Sequence, residues 1–316
     1  MIRRLPILVV LAVLIAFALG WSRWTARAPA EAPTVTLTVP TGASLPGVAR
    51  RLEAAHLVLS ARLFTLAARA LGSAKPIQAG EYALPNGAGW RQLLSLLQSG
   101  RVIQHLITIP EGLPSVLVAD RLAAEPLLQG PIPLPPEGRV LPDTYAFQRG
   151  EFRTAVLARM TAAMDRTLAH AWAGRAPTTP VHTPEQALTL ASIIEKETAL
   201  AAERPFVAGV YANRLRLGMK LDADPTVIYP ITQGRPLGRP IRQSDLHADT
   251  GYNTYLKPGL PKGPIANPGR LSILAALHPA PTPALYFVAN GHGGHIFADT
   301  LAEQARNVAH WRALGH

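Results

Sequence analysis

An α+β fold hung from an N-terminal membrane-crossing helix is what the sequence predicts, with a small α/β domain first and a larger α+β domain after it. Three observations lead there. An apolar stretch runs from Leu5 to Trp21 behind Arg3 and Arg4. An extended run, a Pro-x-Gly turn and a helical pattern then recur around Pro40 and Gly42, Pro85 and Gly87, and Pro110 and Gly112. Beyond a proline-rich loop, Pro131 to Pro136, the pattern turns to longer, capped helices. The boundaries that follow are 1–24 for the transmembrane anchor, 25–34 for a linker, 35–104 for the small domain and 105–316 for the larger one.

The anchor is argued from length and flanks. About 17 apolar residues is the shortest stretch that spans a bilayer as a helix, whereas a signal-peptide core is shorter, roughly 7 to 15. Trp21 and Trp24 close the stretch where aromatic rings settle at a membrane interface. An uncleaved anchor is therefore expected; the competing reading is a signal peptide cut at the small-x-small site Ala26-Arg27-Ala28. Either one exports the remaining chain. The Ala and Pro residues between Thr25 and Thr34 read as a tether.

Composition narrows the function classes. With 316 residues, 48% hydrophobic and 16% charged, the exported part has enough apolar material for one large core or two modest ones. Cysteine is absent, which excludes disulfides, thiolate metal sites and a cysteine nucleophile. Lys and Arg outnumber Asp and Glu by 31 to 20, and the +11 charge favours an anionic partner such as acidic phospholipid or a wall polymer. Nucleic acid is not expected, because the basic residues form no run and aromatics are only 6%.

Each Pro-x-Gly unit fits strand, turn and amphipathic helix, since Pro fixes φ while Gly permits the reversal. Leu93, Leu94, Leu96 and Leu97 show the helical spacing of the third step. Small units of this kind resemble LysM modules, which bind N-acetylglucosamine polymers; leucine-rich helices are also what any small α+β core needs, and pattern alone leaves both readings open. Further on, Leu141-Pro142-Asp143-Thr144-Tyr145 precedes a helix around Ala155 to Trp172. Thr183, Pro184 and Gln186 make a capping-box start for the next helix, with the hydroxyl at N-cap and Pro at N1. Another helix runs from Pro205 to Leu217 and stops at Gly218. Leu285 to Ala289 and His295 to Ala298 flank Asn290 to Gly294 and read as a hairpin.

On a wheel of about 100° per residue, the helix from Pro184 puts Glu185, Thr189, Ser192 and Lys196 on one side, read as the wet face. Glu195 and Glu197 fall among the apolar residues of the remaining arc. Desolvation disfavours an ionised carboxyl, so a glutamate on such ground can hold a proton near neutral pH, as general-acid cleavage of a glycosidic bond requires. The bland alternative is a carboxylate paired with a buried Arg, and wheel position does not rank the two. They project too far apart to be the facing pair of an ordinary glycosidase.

Downstream lie Asn213, Arg214, Asp222, Asp224, Thr226 and Tyr229, then Tyr252, Asn253 and Tyr255. Rings stack on pyranose faces while amide and acid groups fix hydroxyl or acetamido groups, so Asn213, Asp224, Thr226, Tyr229, Tyr252, Asn253 and Tyr255 are the candidate sugar-binding residues. The same residues also suit a helix start at Asp224-Pro225-Thr226 and a turn at Gly251-Tyr252-Asn253. His278, His292 and His295 lack metal-ligand spacing, and no Gly-x-Ser-x-Gly elbow or Walker loop is present, so no metal and no cofactor is expected.

The run Ala191-Ser192-Ile193-Ile194-Glu195-Lys196-Glu197-Thr198, with Glu203-Arg204, Tyr252-Asn253-Thr254-Tyr255, Gly259-Leu260-Pro261, Asn267-Pro268-Gly269, His278-Pro279-Ala280 and Gly293-Gly294-His295, resembles the signature of the endolytic murein transglycosylase (YceG-like) family. Two positions depart from that pattern: Lys262 stands where a second Pro is usual, and Thr250-Gly251 replaces Ser-Pro. The resemblance implies that the catalytic glutamate is Glu195 and that Glu197 is structural. It further implies a single pass through the cell inner membrane with the catalytic part in the periplasm, a LysM-like first domain, peptidoglycan glycan strands as substrate, and peptidoglycan synthases of the elongation or division machinery as partners.

The chemistry implied is nonhydrolytic. Glu195 protonates the oxygen between N-acetylmuramic acid and N-acetylglucosamine, then takes the proton of the C6 hydroxyl as it closes on C1, leaving a 1,6-anhydro end. Two rival readings stand beside it: a non-catalytic anchor that binds peptidoglycan, and a muramidase using a second carboxylate such as Asp224.

Overall fold

The structure is a computed structural model that describes residues 5–29, 31–72 and 74–313. It is mixed α+β and divides into two compact units, Met1–His105 with Ala146–Gly150, and Leu106–Tyr145 with Glu151–His316.

The first unit contains α1 (Leu5–Thr25), β1 (Thr34–Val39), α2 (Leu45–Ala54), α3 (Ala61–Leu71), β2 (Gly80–Pro85) and α4 (Trp90–Ser99). Strands β1 and β2 pair antiparallel with Leu37 opposite Tyr82. Leu37, Val39, Tyr82 and Leu84 are buried while Thr36, Thr38 and Ala83 are exposed, the period-two alternation of a sheet with one covered face. Leu52, Phe64, Leu93 and Leu97 complete the core, each fully buried and worth about 1.5–3 kcal/mol of transfer free energy. Helices α2 and α3 start at Ser44 and Ser60, whose hydroxyls accept from the N–H of Gly47 (3.3 Å) and Leu63 (3.4 Å). One buried carboxylate stands in this unit: Glu81 lies 2.7 Å from His105 Nε2 and 3.0 Å from Arg149 Nε, and the His105 bond holds it below the usual glutamate range.

Helix α1 lies where the anchor is predicted, and its side chains from Val9 to Trp21 are exposed. Arg3 and Arg4 lie outside the described residues, and among the described residues no helix is long and apolar enough to cross a membrane. Trp24, the last residue of the predicted anchor, joins the core, and part of the stretch read as a tether is packed: the N–H of Gly89 donates to Ala26 O at 3.0 Å, and the N–H of Ala28 donates to Gln92 Oε1.

Strands β3 (His105–Thr108) and β4 (Thr144–Phe147) pair with each other. The second unit then holds α5 (Ser115–Ala124), α6 (Arg153–Ala173), α7 (Pro184–Glu197), α8 (Arg204–Arg216), α9 (Asp224–Thr232), α10 (Gln243–Leu246), α11 (Arg270–Leu277), the antiparallel hairpin of β5 (Tyr286–Ala289) and β6 (His295–Ala298), and α12 (Leu301–Ala313). The three Pro-x-Gly units are all strand, turn and helix, with Gly42, Gly87 and Gly112 at φ of 75°, 79° and 70°. In that left-handed region a Cβ would crowd the backbone. The capped helix, the helix ending before Gly218 and the hairpin likewise form where the sequence places them.

Helix α7 is the axis of this unit, packed against α11, α8, α6 and α9. Every residue from Ala187 to Ile194 is buried, which corrects the wet face read from the wheel at Thr189 and Ser192, while Glu185 and Lys196 are exposed as expected. Thr189 hydroxyl donates to Glu185 O (2.8 Å), while that of Ser192 donates to Thr189 O (2.7 Å) and accepts from the N–H of Ile265 (3.0 Å). A short hydroxyl that satisfies itself on nearby backbone can leave water at little cost, so its presence does not mark an exposed face. At the helix start Thr183 Oγ1 accepts from the N–H of Gln186, but Gln186 Oε1 reaches one residue further than a capping box, to the N–H of His182 at 2.7 Å.

Candidate active site

Glu195 stands in the last turn of α7, just before the helix ends at extended Thr198. The turn that follows is locked. Thr198 hydroxyl donates to Glu203 Oε2 (3.1 Å), and Glu203 also accepts the His295 backbone N–H (2.9 Å) and pairs with His295 Nδ1 (2.7 Å). Burial alone would raise the Glu203 carboxyl, yet the bonds from His295 and Thr198 outweigh it and hold it low. This clamp fixes the start of α8 and with it Arg204, whose side chain is only 6% exposed.

Arg204 folds back onto the end of α7. Its Nη2 donates to Glu195 Oε1 at 3.0 Å and to Glu111 Oε2 at 3.0 Å, so one guanidinium nitrogen serves two carboxylates. The other Glu195 oxygen accepts the N–H of Gly269 at 2.9 Å, at the N-terminus of α11, where unpaired N–H groups favour an anion. The Glu195 side chain is 5% exposed, as the wheel requires, but its surroundings are an ion pair rather than the apolar ground the wheel suggested.

The loop Glu111-Gly112-Leu113 is clasped to the chain before α11: Gly112 N–H donates to Asn267 O (2.9 Å) and Asn267 N–H to Leu113 O (3.2 Å). Asn267 is fully buried and acts as the hub, with Nδ2 on Leu113 O and Ser115 Oγ and Oδ1 accepting from the N–H of Val140. Beneath it Glu137 accepts from the N–H and hydroxyl of Ser115, and burial pushes its carboxyl up. Above these residues opens a groove of about 500 Å³ lined by Glu111, Gly112, Leu113, Lys196, Tyr229 and Ile265, among others. Gly112 separates the groove from Glu195; a Cβ there would lie 3.4 Å from Glu195 Cγ.

The predicted sugar-binding residues divide into groups. Tyr229 lines the groove and meets Tyr252 edge-on at 4.9 Å between ring centres. Burial, reinforced by the Glu137 charge, pushes the Tyr229 hydroxyl up. Asp224 and Tyr255 pair with each other through a 2.6 Å hydrogen bond from the phenol. Asn213, Thr226 and Asn253 have their hydrogen-bonding groups engaged inside the fold: Asn213 Nδ2 on Thr282 O and Ala284 O, Thr226 hydroxyl on Ala223 O, and Asn253 Nδ2 on Leu246 O and Ala248 O.

Glu197 has the more perturbed carboxyl of the two wheel candidates. Burial pushes it up to about 7, with the Asp224 charge adding to the effect and the Tyr211 hydrogen bond and Arg214 charge opposing it. Its Oε1 is sealed from solvent with no hydrogen-bond partner among the described residues. Perturbation alone does not single out a reacting group; Glu195 lies beside Gly112, which lines the groove.

The YceG-like family model matches residues 37–310. The chain belongs to the YceG-like family. It is similar to the endolytic murein transglycosylase of Bacillus subtilis (strain 168), with 30% identity over 302 residues that cover 85% of this chain and 82% of that one. It is 26% identical to the endolytic murein transglycosylase of Streptococcus pneumoniae serotype 2 (strain D39 / NCTC 7466), over 87% of this chain but only 58% of that longer one. A crystal structure of a yceG-like protein from Listeria monocytogenes superposes with a TM-score of 0.54 at 29% identity, covering 87% of this chain and 99% of that one.

The two departures from the YceG-like pattern lie against each other. Lys262 N–H donates to Gly251 O at 3.0 Å, and its ammonium lies 4.7 Å from the centre of the Tyr252 ring. Gly251, at φ 75°, leaves room for the Lys262 stem, which a Cβ would approach to 3.1 Å. Sequence reasoning passed over Glu111, read only as the middle of a turn, and over Glu137. Their signal was faint: a charged residue between Pro110 and Gly112, and another between Pro136 and Gly138.

Proposed function

We propose that this chain is an endolytic lytic transglycosylase of peptidoglycan in which Glu195 is the general acid and then the general base. The observation that carries the reading is the seat of Glu195: a carboxyl directly behind Gly112 of the groove wall, with both oxygens held in one orientation by Arg204 and the Gly269 N–H. Orientation of this kind is what proton transfer to a fixed leaving oxygen needs. Protonated Glu195 donates to the oxygen linking N-acetylmuramic acid to N-acetylglucosamine while the muramyl acetamido oxygen assists at C1. Ionised Glu195 then takes the C6 hydroxyl proton as O6 closes on C1. One guanidinium balances one of the two carboxylates beside it, so a single proton on the pair leaves the trio neutral.

The groove supplies the rest. Tyr229, leaning on Tyr252, offers an aromatic surface for a pyranose face, and Asp224 with Tyr255 supplies polar contact further along the strand. Helix α1 anchors the chain in the cell inner membrane by a single pass and places both units in the periplasm, in reach of peptidoglycan synthases; its exposed apolar side chains support this. The first unit, with two strands and leucine-rich helices, serves as a LysM-like module that holds glycan.

Mass analysis of peptidoglycan digested by the wild type and by Glu195→Gln tests the reading. Anhydro ends from the wild type, and a rate about 10²–10⁴-fold lower in the variant, are expected. Reducing ends would instead make the protein a hydrolase, and unchanged glycan would make it a binder.

A further inference from the structure

Glu111 is the second carboxylate of the site, and no step written above uses it. It belongs to the loop after β3, lines the groove, and is 43% exposed against 5% for Glu195. Both carboxylates take hydrogen bonds of 3.0 Å from the same Arg204 Nη2, so their nearest oxygens are at most twice that distance apart. Arg204 has no partner for Nε or Nη1 among the described residues, so its bonding is given wholly to this pair. Glu111 Oε1 accepts from no donor among the described residues.

Gly269 shows that the position of Glu111 is built. Its φ of −74° is open to any residue, so conformation does not call for glycine. Space does: a Cβ on Gly269 would fall 1.9 Å from Glu111 Oε1 and 2.2 Å from its Cδ. The residue that donates to Glu195 thus lacks a side chain in the space that Glu111 occupies.

We propose that Glu111 is a substrate-binding residue whose carboxylate accepts the N–H of the acetamido group on the sugar being cleaved. The inference rests on the transglycosylase reading. In the first step the acetamido oxygen bonds to C1 as the C1–O bond breaks, and Glu195 gives its proton to the departing oxygen. Positive charge then spreads over the five-membered ring so formed, whose N–H stays on nitrogen, bonded to Glu111. In the second step O6 bonds to C1, the acetamido oxygen leaves it, and the O6 proton passes to Glu195. A fixed carboxylate beside the ring nitrogen orients the group and stabilises the charge that develops.

The test uses the full chain in detergent with uncrosslinked glycan strands. Anhydro-end formation is followed for the wild type, Glu111→Gln, Glu111→Asp and Glu195→Gln, with inhibition by the thiazoline of N-acetylmuramic acid measured at a pH low enough to protonate its ring nitrogen, which then carries the N–H and the charge of the assisted intermediate. Glu111→Gln is expected to melt with the wild type and to lower kcat about 100-fold while KM changes little. Its affinity for the thiazoline should fall about tenfold or more, and Glu111→Asp should recover part of kcat. A Glu111→Gln enzyme with wild-type kcat, beside an inactive Glu195→Gln, overturns this inference alone. A slow Glu111→Gln that binds the thiazoline as tightly as the wild type also overturns it. Wild-type cleavage by Glu195→Gln overturns the site reading and the inference with it.

Discussion

Glu197 gives this fold a pH dependence that one substitution should remove. Its carboxyl is buried at the end of α7, facing Tyr211 and Arg214 from α8, Asp224 from α9, and Tyr255, and is pushed up to about 7 from 4.5. Below pH 4.5 the group is protonated both folded and unfolded. As the pH rises through the window up to about 7 the unfolded chain loses this proton and the native chain keeps it, so stability falls; above the window the loss is complete. At about 1.4 kcal/mol per pH unit, the window amounts to about 3 kcal/mol. Glutamine has nearly the shape of the protonated acid and does not ionise, so Glu197→Gln should gain about 3 kcal/mol on the wild type between pH 4.5 and 8. Urea denaturation of both proteins at pH 4.5, 6 and 8 measures this, and comparing them at each pH cancels the contribution of every other group. A stability gap that stays constant across the three pH values would refute the reasoning.

Three further outcomes follow from the site. Arg204→Leu leaves Glu195 a buried carboxylate without a counter-ion and should cost about 3–5 kcal/mol in denaturant unfolding, more than a surface pair would. Gly269→Ala forces Glu111 aside, and we expect about 1–3 kcal/mol of lost stability in a melt, with cleavage impaired more than folding. Tyr229→Ala removes the ring packed on Tyr252, so KM for glycan strands should rise by up to about tenfold, in line with about 0.5–1.5 kcal/mol for an aromatic contact.

Much of the architecture was legible residue by residue. Gly42, Gly87 and Gly112 mark turns because a left-handed φ admits few other residues, and that is a local property of the chain. Thr183 and Pro184 announce the start of α7 for the same reason: a cap is made within one turn of backbone. Thr189 and Ser192 were misjudged because a wheel registers polarity but not whether a hydroxyl has already found a partner on its own helix. How the candidate sugar-binding residues are bonded was not legible, since the carbonyls that engage Asn213 and Asn253 arrive from residues 282–284 and 245–248.

By itself the sequence determined which segments are strand, turn and helix, that Glu195 and Glu197 fall inside an otherwise apolar arc, and which family signature the chain carries. These rest on dihedral preferences and spacing, which act over a few residues. Only the tertiary structure gave the two glutamates their different surroundings. Arg204 returns from the next helix, Glu111 from a loop 84 positions before Glu195 and Gly269 from 74 positions after it, and no periodicity encodes such a meeting. Electrostatic surroundings are set by distance in space, so the chain had to fold before one carboxyl was desolvated beside Tyr211 and the other was paired with Arg204.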